Sequence, residues 1–161
     1  MALKRICGLV SSVLSDVMSV VSPRLCPSCG CALTEKEECL CHGCQAQLAS
    51  SGGFASLPGN PMEQRVLELT GMEIPCAALA PYVHEGVSGK VVAAFKYRGE
   101  KSLAVHMGRM LGISVSGSGR FSGYGVYVPV PLHPQRFRAR GYNQAAELCR
   151  GMAEAAGGDV C

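Results

Sequence analysis

The segment from Tyr127 to Gln144 reads YVPVPLHPQRFRARGYNQ, and it combines an apolar start with a basic second half. Tyr127, Val128 and Val130 predict a short strand, because the prolines at 129, 131 and 134 exclude a longer strand or helix. The basic residues that follow are predicted to lie in a loop, and Asn143 is expected to cap a helix that begins near Gln144. This unit favours anion binding, since helix N-termini and guanidinium groups both attract phosphate oxygens.

The distribution of charge favours a phosphate-bearing ligand on the C-terminal half of the chain. The 161 residues carry a formal charge of +3. Residues 1–83 contribute −2 and residues 84–161 contribute +5, so the positive excess lies with the predicted loop. An ordinary solvated basic surface is the alternative explanation. The candidate anion ligands are Arg136, Arg138, Arg140, Asn143 and Gln144.

Six of the ten cysteines lie close together near the N-terminus and predict a metal site. Among them are two CxxC units separated by eleven residues. Each CxxC turn presents two thiolates to one ion, so two turns complete the tetrahedral shell of structural zinc. Disulfides are the alternative, but they need an oxidising compartment, for which no export signal is found. The predicted ligands are Cys26, Cys29, Cys41 and Cys44, while Cys31 and Cys39 are either bystanders or alternative ligands.

Three sequence features together resemble the ComF family of phosphoribosyltransferase-like proteins, which are linked to competence and DNA uptake. They are the run VPVPLHPQRFRARGYNQAAELCR from Val128 to Arg150, the run AFKYRGEKSLA from Ala94 to Ala104, and the cysteine-rich segment. The resemblance implies that the five candidate anion ligands line the pyrophosphate side of a transferase site. It also implies that Lys96 and Arg98 could extend the basic face, with a solvated turn between two helices as the alternative. Many relatives carry a second cysteine pair where this chain has only Cys76, so one zinc ion is expected.

The resemblance also implies a second part of the transferase site, the part that binds the ribose and its phosphate, and this sequence does not contain it. Phosphoribosyltransferases of this type bind phosphoribosyl pyrophosphate through two adjacent acidic residues and a Thr/Gly-rich turn. The only adjacent acidic pair here is Glu37–Glu38, inside the cysteine-rich segment. We therefore expect a C-terminally truncated ComF-like chain that is catalytically incomplete and has no assigned catalytic residue. Magnesium with phosphoribosyl pyrophosphate is expected only in a full-length form.

The predicted fold is α/β, with an incomplete type I phosphoribosyltransferase-like core preceded by an N-terminal helix and a small four-cysteine zinc module. The expected division is an amphipathic helix over residues 1–22, the zinc module over 23–50, a linker with a short helix over 51–75, and the partial transferase-like domain over 76–161. Asp16, in the middle of the N-terminal segment, argues against a bilayer span. No integral membrane span is therefore expected, and the predicted location is the cytoplasm.

Local signals predict the elements of the linker and the C-terminal domain. Helical periodicity and capping residues predict helices from Pro61 to about Gly71 and over Ser88–Tyr97, Ser102–Leu111 and Asn143–Ala156. The apolar run Cys76–Val83 predicts a strand, and Asp159 is the entry to another. The glycine- and serine-rich residues 112–125 predict a plain connector.

A binding module is the alternative function. A zinc-bearing segment with a basic surface suits contact with single-stranded DNA or with a protein of the DNA-uptake machinery, without transferase chemistry. Phe137 and Tyr142 are the only aromatic residues within the basic stretch, so no extended stacking platform is evident. The predicted partners are thus a phosphorylated ligand, pyrophosphate or phosphoribosyl pyrophosphate, and, in the alternative, single-stranded DNA or a competence protein.

Overall fold

The computed structural model describes residues 23–50 and 53–161, which form a mixed, mostly helical fold. The elements are α1 (His42–Ser50), α2 (Pro61–Thr70), α3 (Val87–Tyr97), α4 (Lys101–Gly117), β1 (Val126–Tyr127), α5 (Pro134–Arg140), α6 (Gln144–Ala156) and β2 (Asp159–Val160). None of the helices in these two ranges combines the length and hydrophobicity that a membrane span requires. The helix predicted over residues 1–22 lies outside the described residues.

The sheet is smaller than the predicted one. Within the described residues it contains only β1 and β2, which pair in parallel with Val126 opposite Asp159. The strand predicted to enter at Asp159 is confirmed, whereas the first strand stops at Tyr127. The strand predicted over Cys76–Val83 is wrong, because this segment is irregular. Prolines at 75 and 81 flank and interrupt it, and proline cannot donate to a sheet ladder.

The basic stretch forms a short helix rather than the predicted loop. Pro134 occupies the first turn of α5, and His133 Nδ1 accepts a hydrogen bond from the Gln135 N–H at 3.3 Å. The helix ends at Gly141, whose φ of 76° is left-handed. Proline has no N–H to lose at a helix start, and its φ already suits the helix. The third proline of the run therefore begins a helix instead of excluding one.

The two predicted asparagine caps are confirmed. Asn60 Oδ1 accepts hydrogen bonds from the N–H groups of Met62 at 3.0 Å and Glu63 at 3.1 Å, at the start of α2. Asn143 Oδ1 accepts from the Ala145 N–H at 3.0 Å at the start of α6. Each cap satisfies backbone donors that lack a partner in the first turn of a helix.

Helix α4 runs to Gly117, so the connector predicted from residue 112 begins as helix. The reason lies in the packing of α4 against α6, the most extensive contact between elements of the described chain. A Cβ on Gly108 would lie 2.1 Å from the Leu148 carbonyl oxygen, and a Cβ on Gly151 would lie 2.0 Å from that of Val105. These glycines allow the two backbones to touch, and this tertiary contact outweighs the low helix propensity of glycine.

The cysteine-rich segment shares one hydrophobic core with the helices. Side chains of the segment and of α1 pack directly against α3 and α4. We call this buried cluster the cysteine–helix core; its members are Cys26, Leu40, Cys41, Cys44, Leu48, Val91, Ala94, Phe95, Leu103, Ala104 and Met107. The predicted zinc module is thus packed onto the helical body and is not a separate appendage.

Candidate metal centre and basic face

Two backbone devices shape the cysteine-rich segment. A tight turn closes where the Cys26 N–H donates to the Cys31 carbonyl at 2.8 Å and Gly30 adopts a left-handed φ of 77°. Downstream, the Glu37 carboxylate accepts hydrogen bonds from the N–H groups of Thr34 at 2.8 Å and His42 at 2.7 Å. These N–H groups, Thr34 first, hold the pKa of Glu37 down at about 2. Both halves of the segment are therefore held by hydrogen bonds of the protein itself.

The turns bring four thiols to one point. The Sγ atoms of Cys26, Cys29, Cys31 and Cys41 all lie within 4.8 Å of one another. Cys29 Sγ is 3.3 Å from Cys31 Sγ and 3.6 Å from Cys41 Sγ. All nine cysteines in the described residues are free thiols. Four soft sulfur ligands at such spacing can hold a metal ion, and they match the closed donor set of structural zinc.

Cys44, the predicted fourth ligand, lies directly beside this group. Its N–H donates to Cys41 Sγ at 3.4 Å, and its side chain is buried. Burial and then the sulfurs of Cys41, Cys29 and Cys26 raise the pKa of the Cys44 thiol to about 12, against a lowering contact from Ser28. The closest group of thiols therefore includes Cys31, and Cys44 is its neighbour.

The thiols differ in how readily they ionise. The backbone N–H of Cys31 and then the thiols of Cys31, Cys26 and Cys41 lower the pKa of Cys29 to about 6. The sulfur of Cys29 and then that of Cys41 raise the pKa of Cys31 to about 12. Cys29 therefore ionises more readily than Cys31 or Cys44. A cation at this point would supply the charge that lets the remaining sulfurs ionise.

Polar contacts connect the cysteine-rich segment to the helices. Arg98, predicted as part of a basic face, donates from Nη2 to the Pro27 carbonyl at 2.7 Å. Glu38 Oε2 lies 3.2 Å from Arg109 Nη1 and 3.5 Å from His106 Nδ1, both on α4. The Glu37–Glu38 pair thus makes contacts inside the cysteine-rich segment and with α4.

Lys96, the other residue of the predicted basic face, lies in the last turn of α3.

Of the five predicted anion ligands, two are free to bind. Arg136 and Arg138 are exposed on α5, and neither has an acidic partner in the described part of the chain. Arg140 donates to Gln144 Oε1 at 3.0 Å, and Gln144 itself is buried. Asn143 uses its side-chain oxygen as a helix cap and its Nδ2 to donate to the Val130 carbonyl at 3.1 Å.

An aromatic contact links the two basic stretches. The Arg140 guanidinium carbon lies 5.4 Å from the ring centre of Tyr97, which is 75% exposed at the end of α3. Phe137 is also exposed on α5. Tyr97 was not predicted as part of this surface, because no feature of the neighbouring sequence indicates that the end of α3 lies near α5. The outcome is a surface on which arginines and two exposed aromatic rings lie together.

Comparison of the chain with protein-family models, with curated proteins and with solved structures finds no match.

Proposed function

We propose that the chain is a ComF-like protein of the phosphoribosyltransferase family, linked to competence and DNA uptake. It acts in the cytoplasm, where thiols stay reduced. One structural zinc ion at the cysteine cluster holds the N-terminal segment on the helices, and the basic face of α5 binds the phosphate groups of a ligand. The observation that carries the ligand proposal is the pair Arg136 and Arg138, which precede the N-terminus of α6, are exposed, and have no acidic partner among residues 23–50 and 53–161.

The chemistry of this face is charge neutralisation. Guanidinium groups grip phosphate oxygens through paired hydrogen bonds, so Arg136 and Arg138 bind and orient a pyrophosphate group. Such positioned cations stabilise the charge of a leaving pyrophosphate. In this proposal, residues 76–161 form an incomplete phosphoribosyltransferase-like domain, and the face of α5 is the pyrophosphate side of its site.

Pyrophosphate binding tests the proposal. Calorimetric titration should give a dissociation constant at least about tenfold weaker for Arg136→Ala/Arg138→Ala, since each charged hydrogen bond contributes about 1.5 kcal/mol or more. Lys36→Ala/Lys90→Ala removes the same charge from exposed positions on other elements and is the matched control. Equal weakening in both double variants would reduce the effect to general charge and contradict the proposal.

Transferase activity is expected to be absent from these residues. The only adjacent acidic pair, Glu37–Glu38, makes structural contacts in the cysteine-rich segment and offers no site for the ribose hydroxyls or magnesium. Purified protein with phosphoribosyl pyrophosphate and magnesium should release no pyrophosphate above the blank. Enzymatic release that disappears in Arg136→Ala/Arg138→Ala would refute this expectation.

Single-stranded DNA is the second candidate ligand, favoured by the exposed rings of Tyr97 and Phe137 beside the arginines. Bases stack on such rings at about 1–3 kcal/mol each, while arginines contact the phosphates. A shift assay should then show salt-dependent binding that weakens in Tyr97→Ala and in Arg136→Ala/Arg138→Ala/Arg140→Ala. Pyrophosphate titration of Tyr97→Ala should be unchanged, which separates the two ligands. Binding that ignores salt and the arginines removes the DNA candidate.

A further inference from the structure

Four thiols lie together at the candidate metal site, and a fifth, that of Cys44, lies beside them, whereas a tetrahedral ion needs four ligands. Cys26, Cys29 and Cys41 belong to both possible sets, the one that the spacing of the CxxC units predicts and the one whose sulfurs lie closest together. The fourth member differs. Cys31 approaches from the solvent side and is exposed, whereas Cys44 approaches from the core and is buried.

We propose that Cys31 and Cys44 are alternative fourth ligands of a single metal ion, and that either one completes the set formed by Cys26, Cys29 and Cys41. The inference rests on the metal-binding part of the proposed function and adds to it an exchange that a closed four-cysteine centre lacks.

The backbone on both sides of the centre is already in place for the exchange. Cys31 is held in its turn by the hydrogen bond from the Cys26 N–H to its carbonyl oxygen. Cys44 is fixed in the first turn of α1, with its N–H on Cys41 Sγ. The Cys31 sulfur belongs to the cluster, and the Cys44 side chain contacts the sulfurs of Cys41, Cys29 and Cys26 from beside it. Since both main chains are fixed, we expect the change of ligand to require side-chain rotation alone. The entering thiol gives up a proton and the departing thiolate takes one up, so the exchange is proton-neutral.

Exchange gives Cys31 a distinct chemical role. When Cys44 is bound, the Cys31 thiol faces solvent while the ion stays in place. Cys31 can then react with an electrophile without loss of the metal, whereas reaction at a shared ligand such as Cys29 removes the ion. The centre combines a permanent structural ion with one replaceable thiol.

Cobalt(II) binding tests the exchange, because sulfur-to-cobalt charge-transfer absorption increases with the number of bound thiolates. The probe is titrated into wild type, Cys31→Ser, Cys44→Ala and Cys31→Ser/Cys44→Ala. We expect both single variants to keep the four-thiolate spectrum and an affinity within about tenfold of wild type. In the double variant, the charge-transfer absorption should fall to that of three bound thiolates. Its affinity for cobalt should fall by more than about 100-fold, because losing a mere hydrogen-bond partner of a metal ligand already costs 10- to 100-fold. Cys39→Ser, outside the cluster, is the control and should match wild type.

Each other result overturns a defined part of the inference. If one single variant alone reproduces the double variant, that cysteine is the sole fourth ligand and exchange is refuted. A three-thiolate spectrum in Cys39→Ser would place a different residue in the centre and also refute it. Wild-type protein that binds no cobalt would refute the metal centre itself, and with it the structural-zinc part of the proposed function.

Alkylation provides a second measurement, and its deciding result comes from the wild-type protein. In zinc-loaded wild type, the Cys31 thiol loses its proton to solvent and its sulfur attacks the methylene carbon of iodoacetamide, so that a C–S bond forms, the C–I bond breaks and iodide leaves. Mass spectrometry of the peptides should show molecules modified at Cys31 that retain one zinc by native mass. The same modification in Cys44→Ala should release the zinc. Zinc release on Cys31 alkylation in wild type would overturn the exchange.

Discussion

The cysteine–helix core and the strand side of the molecule are stabilised in different ways. We define the strand side as residues 53–83 and 118–133 together with β2. In the core, Cys26 and Leu103 are at most 2% exposed, and apolar side chains from three helices surround the sulfurs. On the strand side, Val128 and Val130 are 72% and 75% exposed, and β1 pairs with a single neighbour. Parallel strands are normally covered on both faces, so this side has little apolar burial of its own.

Polar contacts hold the strand side instead. Glu63 Oε1 lies 2.5 Å from Arg120 Nη2 and accepts from the Cys76 N–H at 2.9 Å. Arg120 also donates to the Leu57 carbonyl at 3.0 Å. The fully buried Asn60 donates to the Cys76 carbonyl at 2.9 Å. Loss of metal or of packing should therefore destabilise the core, whereas protonation of Glu63 should destabilise the strand side.

Cys26→Ser should have the largest effect, because Cys26 belongs to both possible ligand sets and to the core. Structural zinc contributes about 10 kcal/mol or more to the folding of small metal modules. We expect the variant to lose its zinc and the cooperative thermal transition seen by circular dichroism. Cys39→Ser should keep both. A folded, metal-free Cys26→Ser protein would show that packing alone maintains the core.

Gly151→Ala should have the next largest effect, since its Cβ would meet the Val105 carbonyl oxygen at the crossing of α4 and α6. Overpacking of this kind costs about 1–3 kcal/mol. We expect urea unfolding to report a loss near the upper end of that range. Gly117→Ala, also on α4 but with no atom within 4 Å of its Cβ, should gain about 0.5 kcal/mol from helix propensity. Equal effects in the two variants would refute close backbone contact.

Glu63→Gln should lower the stability of the strand side in a way that depends on pH. The N–H of Cys76 and then the Arg120 side chain lower the pKa of Glu63 from 4.5 to about 2. The carboxylate therefore stabilises the folded state above pH 4.5, and this contribution is lost as the pH falls from 4.5 toward 2. Thermal melting should show wild type more stable than Glu63→Gln at pH 6, with a smaller difference at pH 3. Loss of metal at low pH affects both proteins equally and cancels in the difference. A difference in melting temperature that is the same at pH 6 and pH 3 would contradict a stabilising role for the ionised Glu63 carboxylate.

Val128→Thr should have the smallest effect. The side chain is exposed and the substitution keeps a β-branched residue, so the free energy of unfolding should change by less than about 0.5 kcal/mol. Val91→Thr makes the same chemical change at a position that is buried in the core, and it should cost about 2 kcal/mol. Equal losses in urea titrations would indicate that the strand face is covered in solution.

Local chemistry made some of the fold predictable from the sequence. Asn60 before Pro61 and Asn143 before Gln144 are caps whose side chains bond within the next three residues, and both helices begin where predicted. The spacing of the two CxxC units likewise predicted a cysteine centre, because each turn is a local structure. These features need no knowledge of the rest of the chain.

Tertiary contacts explain what the sequence did not predict. The continuation of α4 past Gly112 depends on α6, and the sequence shows glycine there without its packing partner. Cys31 joins the cluster because Gly30 reverses the chain, a geometry that spacing alone does not reveal. The segment Cys76–Val83 is apolar enough for a strand, but no described strand pairs with it. Arg140 meets Tyr97 only where two segments that are distant in the sequence come together.

The cysteine cluster is synthesised before the helices that bury it. Residues 26–44 leave the ribosome ahead of α3 and α4, and their sulfurs need only local contacts to capture an ion. Leu40 and Leu48, however, stay uncovered until Val91 and Leu103 have been made. The nascent segment thus has an apolar face that is open to chaperones until α3 and α4 have emerged. Zinc uptake by ribosome-bound chains that end before Val87 would measure this order directly.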